Sequence, residues 1–270
     1  MAKKVTESSG NIFLDLGFPP HEAEVMLLRA KLAEALRVWM EREELTQAES
    51  AKRNGLKVFV IDTAGDPKSI DALHQRSVER GFVGFAVPSA DFQNLEIPRY
   101  PARPVNENAL SILSLGNVKN FLYLSESVAF GRMDEYAITL HGTNYDMVVV
   151  DFFHGRDPLN KQAIATLKYK KAGGRRLALA HIDIGSVASY RYYWKPNWRE
   201  GSPGWISAPI PGDSDRFFVE YWRPEWKSII SGDANSYVYG AVDLGFDGVV
   251  LSGIDTYRYF ETGESGQAAQ

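Results

Sequence analysis

Just after Gly55 the chain begins a series of short apolar runs, rich in β-branched and aromatic residues, that continues almost to residue 261. Three of the stretches between these runs, 67–80, 158–171 and 225–243, predict helices. Near-continuous apolar strands alternating with helices are typical of a parallel sheet covered on both faces. Their number favours an α/β fold of the (β/α)8-barrel type, complete or short of a strand. The predicted strands are residues 56–62, 81–87, 120–126, 147–153, 176–185, 217–222 and 248–255.

The first part of the chain has a different, helical pattern. Residues 22–44 carry apolar side chains at three- and four-residue steps, which predicts an amphipathic helix. A second short helix follows, because Thr46 and Glu49 have the spacing of a capping box and a glycine comes soon afterwards. We therefore predict two parts, an N-terminal helical hairpin over residues 1–55 and a barrel over residues 56–270.

The composition argues against several classes of function. A net charge of −4 and a pI of about 5.8 imply no general affinity for nucleic acid or anionic membranes. The absence of cysteine excludes disulfides and thiolate chemistry. No predicted strand is followed by a glycine-rich phosphate loop, so we expect no cofactor, and no apolar run reaches the roughly 18 residues of a membrane span. The N-terminus lacks the apolar core of a signal peptide, which predicts a cytoplasmic protein.

Acidic side chains follow the predicted strands at their carboxyl ends, where barrel enzymes carry their chemistry. Carboxylates beside aromatic rings suit carbohydrate, because the rings pack on sugar faces while the acids bond hydroxyls and transfer protons. The alternative is that each aspartate caps the following helix, which is common after a strand. The acids in question are Asp62, Asp151, Asp183, Glu220 and Asp255.

From this set, Asp183, Asp151 and Asp255 are the candidates for acid–base chemistry or for hydrogen bonding to a substrate. Arg191 follows closely and would orient a carboxylate or the sugar. The stacking surface is predicted to consist of Tyr190, Tyr221 and Trp222.

The histidines and serines give weaker signals. His181 and Asp183 point the same way on one predicted strand, and His154 closely follows another. No histidine pair has H-x-x-x-H or H-x-H spacing, so we predict no metal site. No serine lies in a G-x-S-x-G elbow, which argues against a serine hydrolase.

Four segments together resemble the glycoside hydrolase family 114-like proteins, the group of endo-α-1,4-polygalactosaminidase and its relatives. The resemblance covers residues 55–261 and implies a TIM-type barrel, an amino-sugar polysaccharide as substrate, hydrolysis by two carboxylates and export from the cell. Asp146 is one of the kept signature residues, and with Glu220 it is a further candidate for substrate binding. The segments are "TNYDMVVVDFF", "GGRRLALAHIDIGSVASYRYYWKPNW", "VEYWRPEWKSII" and "GFDGVVLSGIDTYRYFE".

Several acids of that family are replaced in this chain. Ser186 and Ala188 stand where glutamates are expected, and Ser252 stands where the last strand is usually followed by an acid. Asp183 and Glu220 remain and could substitute for them. The resemblance therefore predicts a barrel that acts on or binds an amino-sugar polysaccharide or oligosaccharide, with its catalytic carboxylates partly lost. If it is active, it is a glycosidase.

The N-terminal part resembles another group, the start of HigA-like helix-turn-helix antitoxins, over residues 8–55. This makes a DNA-binding regulator the alternative function. Residues 1–55 carry eight Lys and Arg against nine Asp and Glu, a net charge of 8 − 9 = −1, and no recognition helix follows them. Both observations argue against nucleic acid as a partner. The N-terminal helices could instead pack on the barrel or mediate self-association, and the barrel could be a scaffold without catalysis.

Overall fold

The computed structural model describes residues 46–88 and 93–262, together with single positions between 11 and 42. The chain divides into two compact units, Met1–Val58 and Phe59–Gln270. No helix in the described part of the chain is long and apolar enough to cross a membrane.

Helix α1 (Gln47–Arg53) lies in the first unit and confirms the predicted capping box. The Thr46 hydroxyl accepts a hydrogen bond from the Glu49 N–H at 3.3 Å, and the Glu49 carboxylate accepts one from the Thr46 N–H at 3.0 Å. The predicted helix over residues 22–44, and with it the hairpin, lies largely outside the described residues. After α1 the chain reaches a strand at Phe59 with no helix between, so a recognition helix does not follow α1.

The second unit is a mixed α/β structure. Its helices are α2 (Pro67–Arg80), α3 (Met133–His141), α4 (Lys161–Leu167), α5 (Pro224–Lys227), α6 (Tyr237–Leu244) and α7 (Tyr257–Thr262). Its strands are β1 (Phe59–Thr63), β2 (Val83–Val87), β3 (Phe121–Leu124), β4 (Met147–Asp151), β5 (Phe153–His154), β6 (Asp157–Pro158), β7 (Leu177–Asp183), β8 (Ser186–Ala188), β9 (Ile206–Ile210), β10 (Asp213–Val219) and β11 (Gly248–Ser252).

Six of the described strands are parallel, which confirms the predicted parallel α/β arrangement. β1 pairs with β2, and a four-stranded sheet has the order β11-β7-β4-β3. In that sheet each strand lies beside the parallel strand that precedes it in the chain. Consequently the carboxyl ends of β3, β4, β7 and β11 meet at one edge.

The prediction of a parallel strand over residues 217–222 is wrong. These residues begin within β10, which is the middle strand of an antiparallel sheet of order β8-β10-β9. The reason is local: Pro211 and Gly212 form a two-residue connection between β9 and β10, and Gly212 has a φ of +85°. A proline followed by a glycine at positive φ is the signature of a tight turn, which returns the chain antiparallel.

The predicted helix over residues 225–243 is interrupted. It consists of α5, a π-type turn at Ser228–Gly232 and α6, because Ser231 has non-helical backbone angles. The segment from β8 to α5 lies in the chain between β7 and β11, which are neighbours in the parallel sheet, and it is therefore an insertion between them. It carries its own small core, in which Trp205 and Trp226 are buried.

The main core lies around β4 and β7. Val148 and Val150 of β4 and Ala178 and Ala180 of β7 are fully buried. Such nearly continuous burial along two adjacent parallel strands indicates that side chains cover both faces of the sheet. The polar residues at the strand ends are consequently carried by buried strands.

Candidate functional site

A cleft of about 910 Å³ lies at the carboxyl ends of β3, β4, β7 and β11. Side chains from all four strands form its floor. The volume falls at the upper end of the range of roughly 300–1,000 Å³ that is usual for ligand sites. The floor residues are Tyr123, Asp151, His181, Asp183 and Ser252.

The register of the sheet brings these polar side chains together. Asp151 of β4 is the strand partner of His181 of β7, and Ser252 of β11 is the partner of Asp183. The Tyr123 ring meets the His181 ring edge to face, with 5.7 Å between centroids. Burial lowers the pKa of His181, and this outweighs the opposite effect of the Asp151 and Asp183 carboxylates. The imidazole is therefore neutral at pH 7, with one donor and one acceptor nitrogen.

Asp151 is held by Arg191. Nη2 of Arg191 donates to Oδ2 of Asp151 at 2.6 Å, and the N–H of Phe153 donates to Oδ1 at 3.0 Å. The guanidinium carbon lies 4.5 Å from the ring centroid of Phe153 and 5.2 Å from that of Tyr190. Burial alone would lower the pKa of Arg191, but the charge and hydrogen bond of Asp151, together with Tyr237 and Tyr190, outweigh it and raise that pKa. The ion pair is thus held by contacts from several sides.

Asp183 has a second arginine as its partner. Its Oδ2 accepts hydrogen bonds from the Arg216 guanidinium and, at 2.7 Å, from the Ser186 hydroxyl. Its Oδ1 accepts from the N–H groups of Gly185 at 2.8 Å and Ser186 at 3.1 Å. Asp183 therefore lines the cleft and also fixes the turn after β7, which leads into β8 and not into a helix. Its role in binding stays a prediction.

Both arginines come from the insertion between β7 and β11. Arg191 follows β8, and Arg216 lies on β10, where it is the strand partner of Ala188. Sequence reasoning found Arg191 but missed Arg216. Alternate side chains of a strand point to the same face, and Arg216 and Phe218 of β10 both line the cleft. This alternation is the sequence signal that could have predicted Arg216. That signal becomes readable only once the pairing of β10 is known.

Aromatic side chains form much of the cleft wall. Burial raises the pKa of Tyr123, Tyr193 and Tyr237, so these phenols stay protonated well above neutral pH. The Tyr193 hydroxyl accepts a hydrogen bond from the Ala188 N–H at 3.3 Å. The aromatic residues that line the cleft are Tyr123, Phe153, Tyr190, Tyr193, Phe218, Tyr237 and Tyr259.

The charges of the cleft are predominantly negative. Five carboxylates and three arginines line it, which gives a formal charge of 3 − 5 = −2 with a neutral histidine. Asp255 is one of these carboxylates and is exposed on a short 3₁₀-helix at the rim, Ile254–Thr256. The charged residues are Glu126, Asp151, Asp183, Asp213, Asp255, Arg156, Arg191 and Arg216.

Asp146, a predicted substrate-binding residue, does not lie with the others. It immediately precedes β4, at the end of the strand opposite Asp151, and is fully buried. Its Oδ1 accepts a hydrogen bond from Nζ of Lys170 at 2.6 Å, and its Oδ2 accepts one from the Lys119 N–H at 2.9 Å. Asp146 and Lys170 therefore form a buried structural ion pair.

Three further predicted residues also lie away from the cleft lining. Glu220 pairs with Arg223, with 2.5 Å between its Oε2 and Nε. Tyr221 and Trp222 pack against each other and against Phe260. The reason is that β10 ends at Val219, after which the chain turns out of the antiparallel sheet.

Among the described residues, no group of three or more His, Asp and Glu side chains could hold a metal ion. The arginines occupy the positions where a cation would otherwise meet Asp151 and Asp183.

No protein-family model matches the chain. It is 30% identical over 184 residues to an uncharacterized protein of Methanocaldococcus jannaschii, covering 66% of this chain and 50% of that protein. It is 28% identical over 123 residues to an uncharacterized protein of Thermotoga maritima, covering 46% and 36%. An uncharacterized protein of Deinococcus radiodurans is 30% identical over 119 residues, covering 44% and 36%. The chain thus spans half or less of the length of these relatives, whose names state no activity.

Proposed function

We propose that the cleft binds an amino-sugar polysaccharide and that hydrolysis is weak or lost. The observation that carries this proposal is the pairing of both floor carboxylates, Asp151 with Arg191 and Asp183 with Arg216, beside an aromatic wall. Aromatic rings provide stacking faces for sugar rings, and the paired carboxylates provide fixed acceptors for hydroxyl and amino groups.

We further propose that the second unit is part of a (β/α)8 barrel of the glycoside hydrolase family 114-like type. In support, β2 lies next to β3, so the parallel strands follow one another in space in the order of the sequence. A doubly wound sheet would reverse that order at a switch point. The cleft also lies at the carboxyl ends of the strands, where barrels carry their sites.

Binding is favoured over hydrolysis by the state of the acids. Glycoside hydrolysis needs one group that donates a proton and a second that acts as base or nucleophile. Asp151 and Asp183 each accept hydrogen bonds from an arginine, so neither offers a free acid on the floor. The neighbouring position on β11 is Ser252, which has no carboxylate. The floor therefore supplies recognition without a complete catalytic pair.

An amino sugar is favoured over a neutral or acidic sugar by charge. The cleft has a formal charge of −2, and Asp213 and Asp255 lie along it in addition to the two paired carboxylates. A protonated amine is attracted to such a site, whereas a uronic acid is repelled.

The test combines two measurements on an α-1,4-linked galactosamine polymer: the melting temperature with and without polymer, and the release of reducing ends. We expect the polymer to raise the melting temperature of the wild type with little or no release. Asp151→Asn should abolish the rise, whereas the control Asp243→Asn, at an exposed pair with Lys161, should keep it. Absence of any rise in the wild type contradicts the proposal. Sustained release that Asp183→Asn abolishes indicates a working glycosidase instead.

A further inference from the structure

A row of aromatic side chains runs from the cleft wall to the protein surface. Phe218 and Tyr259 line the cleft and stack face to face, with 4.1 Å between ring centroids and 9° between ring planes. Outward from Tyr259, successive centroids are 4.9, 4.9 and 5.0 Å apart. We call this row the aromatic belt; in order, its members are Phe218, Tyr259, Phe260, Trp222 and Tyr221.

Two distant segments build the belt. β10 and the residues directly after it supply three rings, and α7 supplies the other two. The outer contacts are edge to face, with interplanar angles of 84°, 81° and 85°. This geometry is favourable for aromatic pairs and holds each ring in a defined orientation. The belt is therefore an ordered surface.

The outer end of the belt is accessible and has acids beside it. Tyr221 is 38% exposed, and Tyr257, in the first turn of α7, is also 38% exposed. The carboxylate of Glu220 precedes Tyr221 in the chain, and the negative charge of Glu261 acts on the Tyr221 phenol. The outer end of the belt therefore has exposed aromatic rings next to carboxylates, as the cleft lining does.

We infer that the aromatic belt provides additional subsites for successive sugar rings, so that the ligand is an extended stretch of polysaccharide. This inference rests on the proposed function. A chain bound on the floor can pass Phe218 and Tyr259, which belong to both surfaces, and continue towards Trp222. Each further sugar ring that contacts the belt then adds favourable stacking, so affinity increases with the length of the polysaccharide.

The experiment is a titration of the full chain with α-1,4-linked galactosamine oligomers from the disaccharide to the octasaccharide. The variants are Trp222→Ala and Tyr221→Ser, and the matched control is Tyr239→Ser, an exposed tyrosine of α6 that is 55% accessible. We expect the wild type to bind the octasaccharide at least tenfold more tightly than the disaccharide. Loss of one stacking ring should remove roughly tenfold of that gain.

The outcomes separate the two proposals. A length-dependent gain that Trp222→Ala and Tyr221→Ser reduce and Tyr239→Ser preserves supports the belt. Binding that does not depend on length, or a gain that both belt variants retain, overturns the belt while the proposed function stands. A wild type that binds no oligomer of any length overturns both. Because Tyr221 is exposed, its replacement tests the belt even where the Trp222 variant fails to fold.

Discussion

Asp183 of β7 and Arg216 of β10 form an ion pair that joins the parallel sheet to the antiparallel insertion. The Ser186 hydroxyl lies between them, donating to Oδ2 of Asp183 at 2.7 Å and accepting from Nη2 of Arg216 at 2.8 Å. Because these residues also line the cleft, one set of contacts both fixes the insertion and shapes the site.

Removal of the Arg216 charge should destabilise the protein moderately. The Asp183 side chain is 25% exposed, so its pair lies between the surface and buried extremes. We expect Arg216→Met to lower the free energy of unfolding by about 1–2 kcal/mol, measured by urea denaturation. Arg156→Met is the control, because Arg156 is exposed and has no ion pair with another described residue. Equal effects of the two substitutions would argue against a structural role for the Asp183 pair.

Gly253 should not tolerate a side chain. It has a φ of +72°, and an added Cβ would overlap Oδ1 of Asp183 and lie 2.8 Å from the Gly185 nitrogen. We expect Gly253→Ala to lower the free energy of unfolding by more than the about 1–2 kcal/mol that a left-handed backbone alone costs an alanine. Gly173→Ala is the matched control, with a φ of +87° and nothing within 4 Å. Similar unfolding free energies for both variants would show that the contact with Asp183 is not close.

The buried pair of Asp146 and Lys170 should be critical for stability. Both side chains are 0% exposed, so Lys170→Met leaves a carboxylate buried without its counter-ion. We expect a loss of about 3–5 kcal/mol in the free energy of unfolding. Lys161→Met removes an exposed pair whose side chains are 66% and 64% accessible, and it should cost less than about 1 kcal/mol. A well-folded Lys170→Met protein of near wild-type stability would reopen a binding role for Asp146.

Stability should decrease as the pH falls from 7 to 5. Burial lowers the pKa of His181 from its ordinary 6.5, so below that pH the unfolded chain binds a proton that the folded chain does not. The stability that neutral His181 contributes is complete above pH 6.5, and it is lost as the pH falls from 6.5 towards the pKa of His181 in the folded protein. His181→Gln should flatten the pH dependence by up to about 1.4 kcal/mol per pH unit. His74, whose pKa burial also lowers, provides a second variant for comparison. An unchanged slope in His181→Gln would mean that the imidazole is already solvated.

Ser252→Asp should increase the release of reducing ends. The new carboxylate would extend from β11 beside its strand partner Asp183. Arg191 and Arg216 already form ion pairs with Asp151 and Asp183, so neither arginine would pair with the new carboxylate. It could therefore supply the group that the floor lacks. The measurement is reducing-end release from the galactosamine polymer, with Ser252→Asn as the uncharged control. A folded Ser252→Asp protein with no rise over that control would show that more than one catalytic group is missing.

The local features of this chain were predictable from the residues alone. The Thr46–Glu49 capping box, helix 67–80 and the parallel strands around 147–151 and 177–183 all depend on neighbours within a few positions. Apolar periodicity and capping chemistry act over that range, so they can be read directly. The same reasoning placed Asp151 and Asp183 at carboxyl strand ends, where they line the cleft.

Contacts between distant residues were decided only by the tertiary structure. Arg216 lies 33 residues from Asp183, and Arg191 lies 40 from Asp151. Asp146 and Asp151 lie on one short segment, yet they reach opposite ends of β4, where one meets a buried lysine and the other the cleft. Tyr221 and Trp222 lie away from the cleft lining because β10 ends at Val219 and the chain then turns out of the antiparallel sheet. Ion pairs and sheet register form through space, so they depend on how the whole chain packs rather than on the residues beside each site.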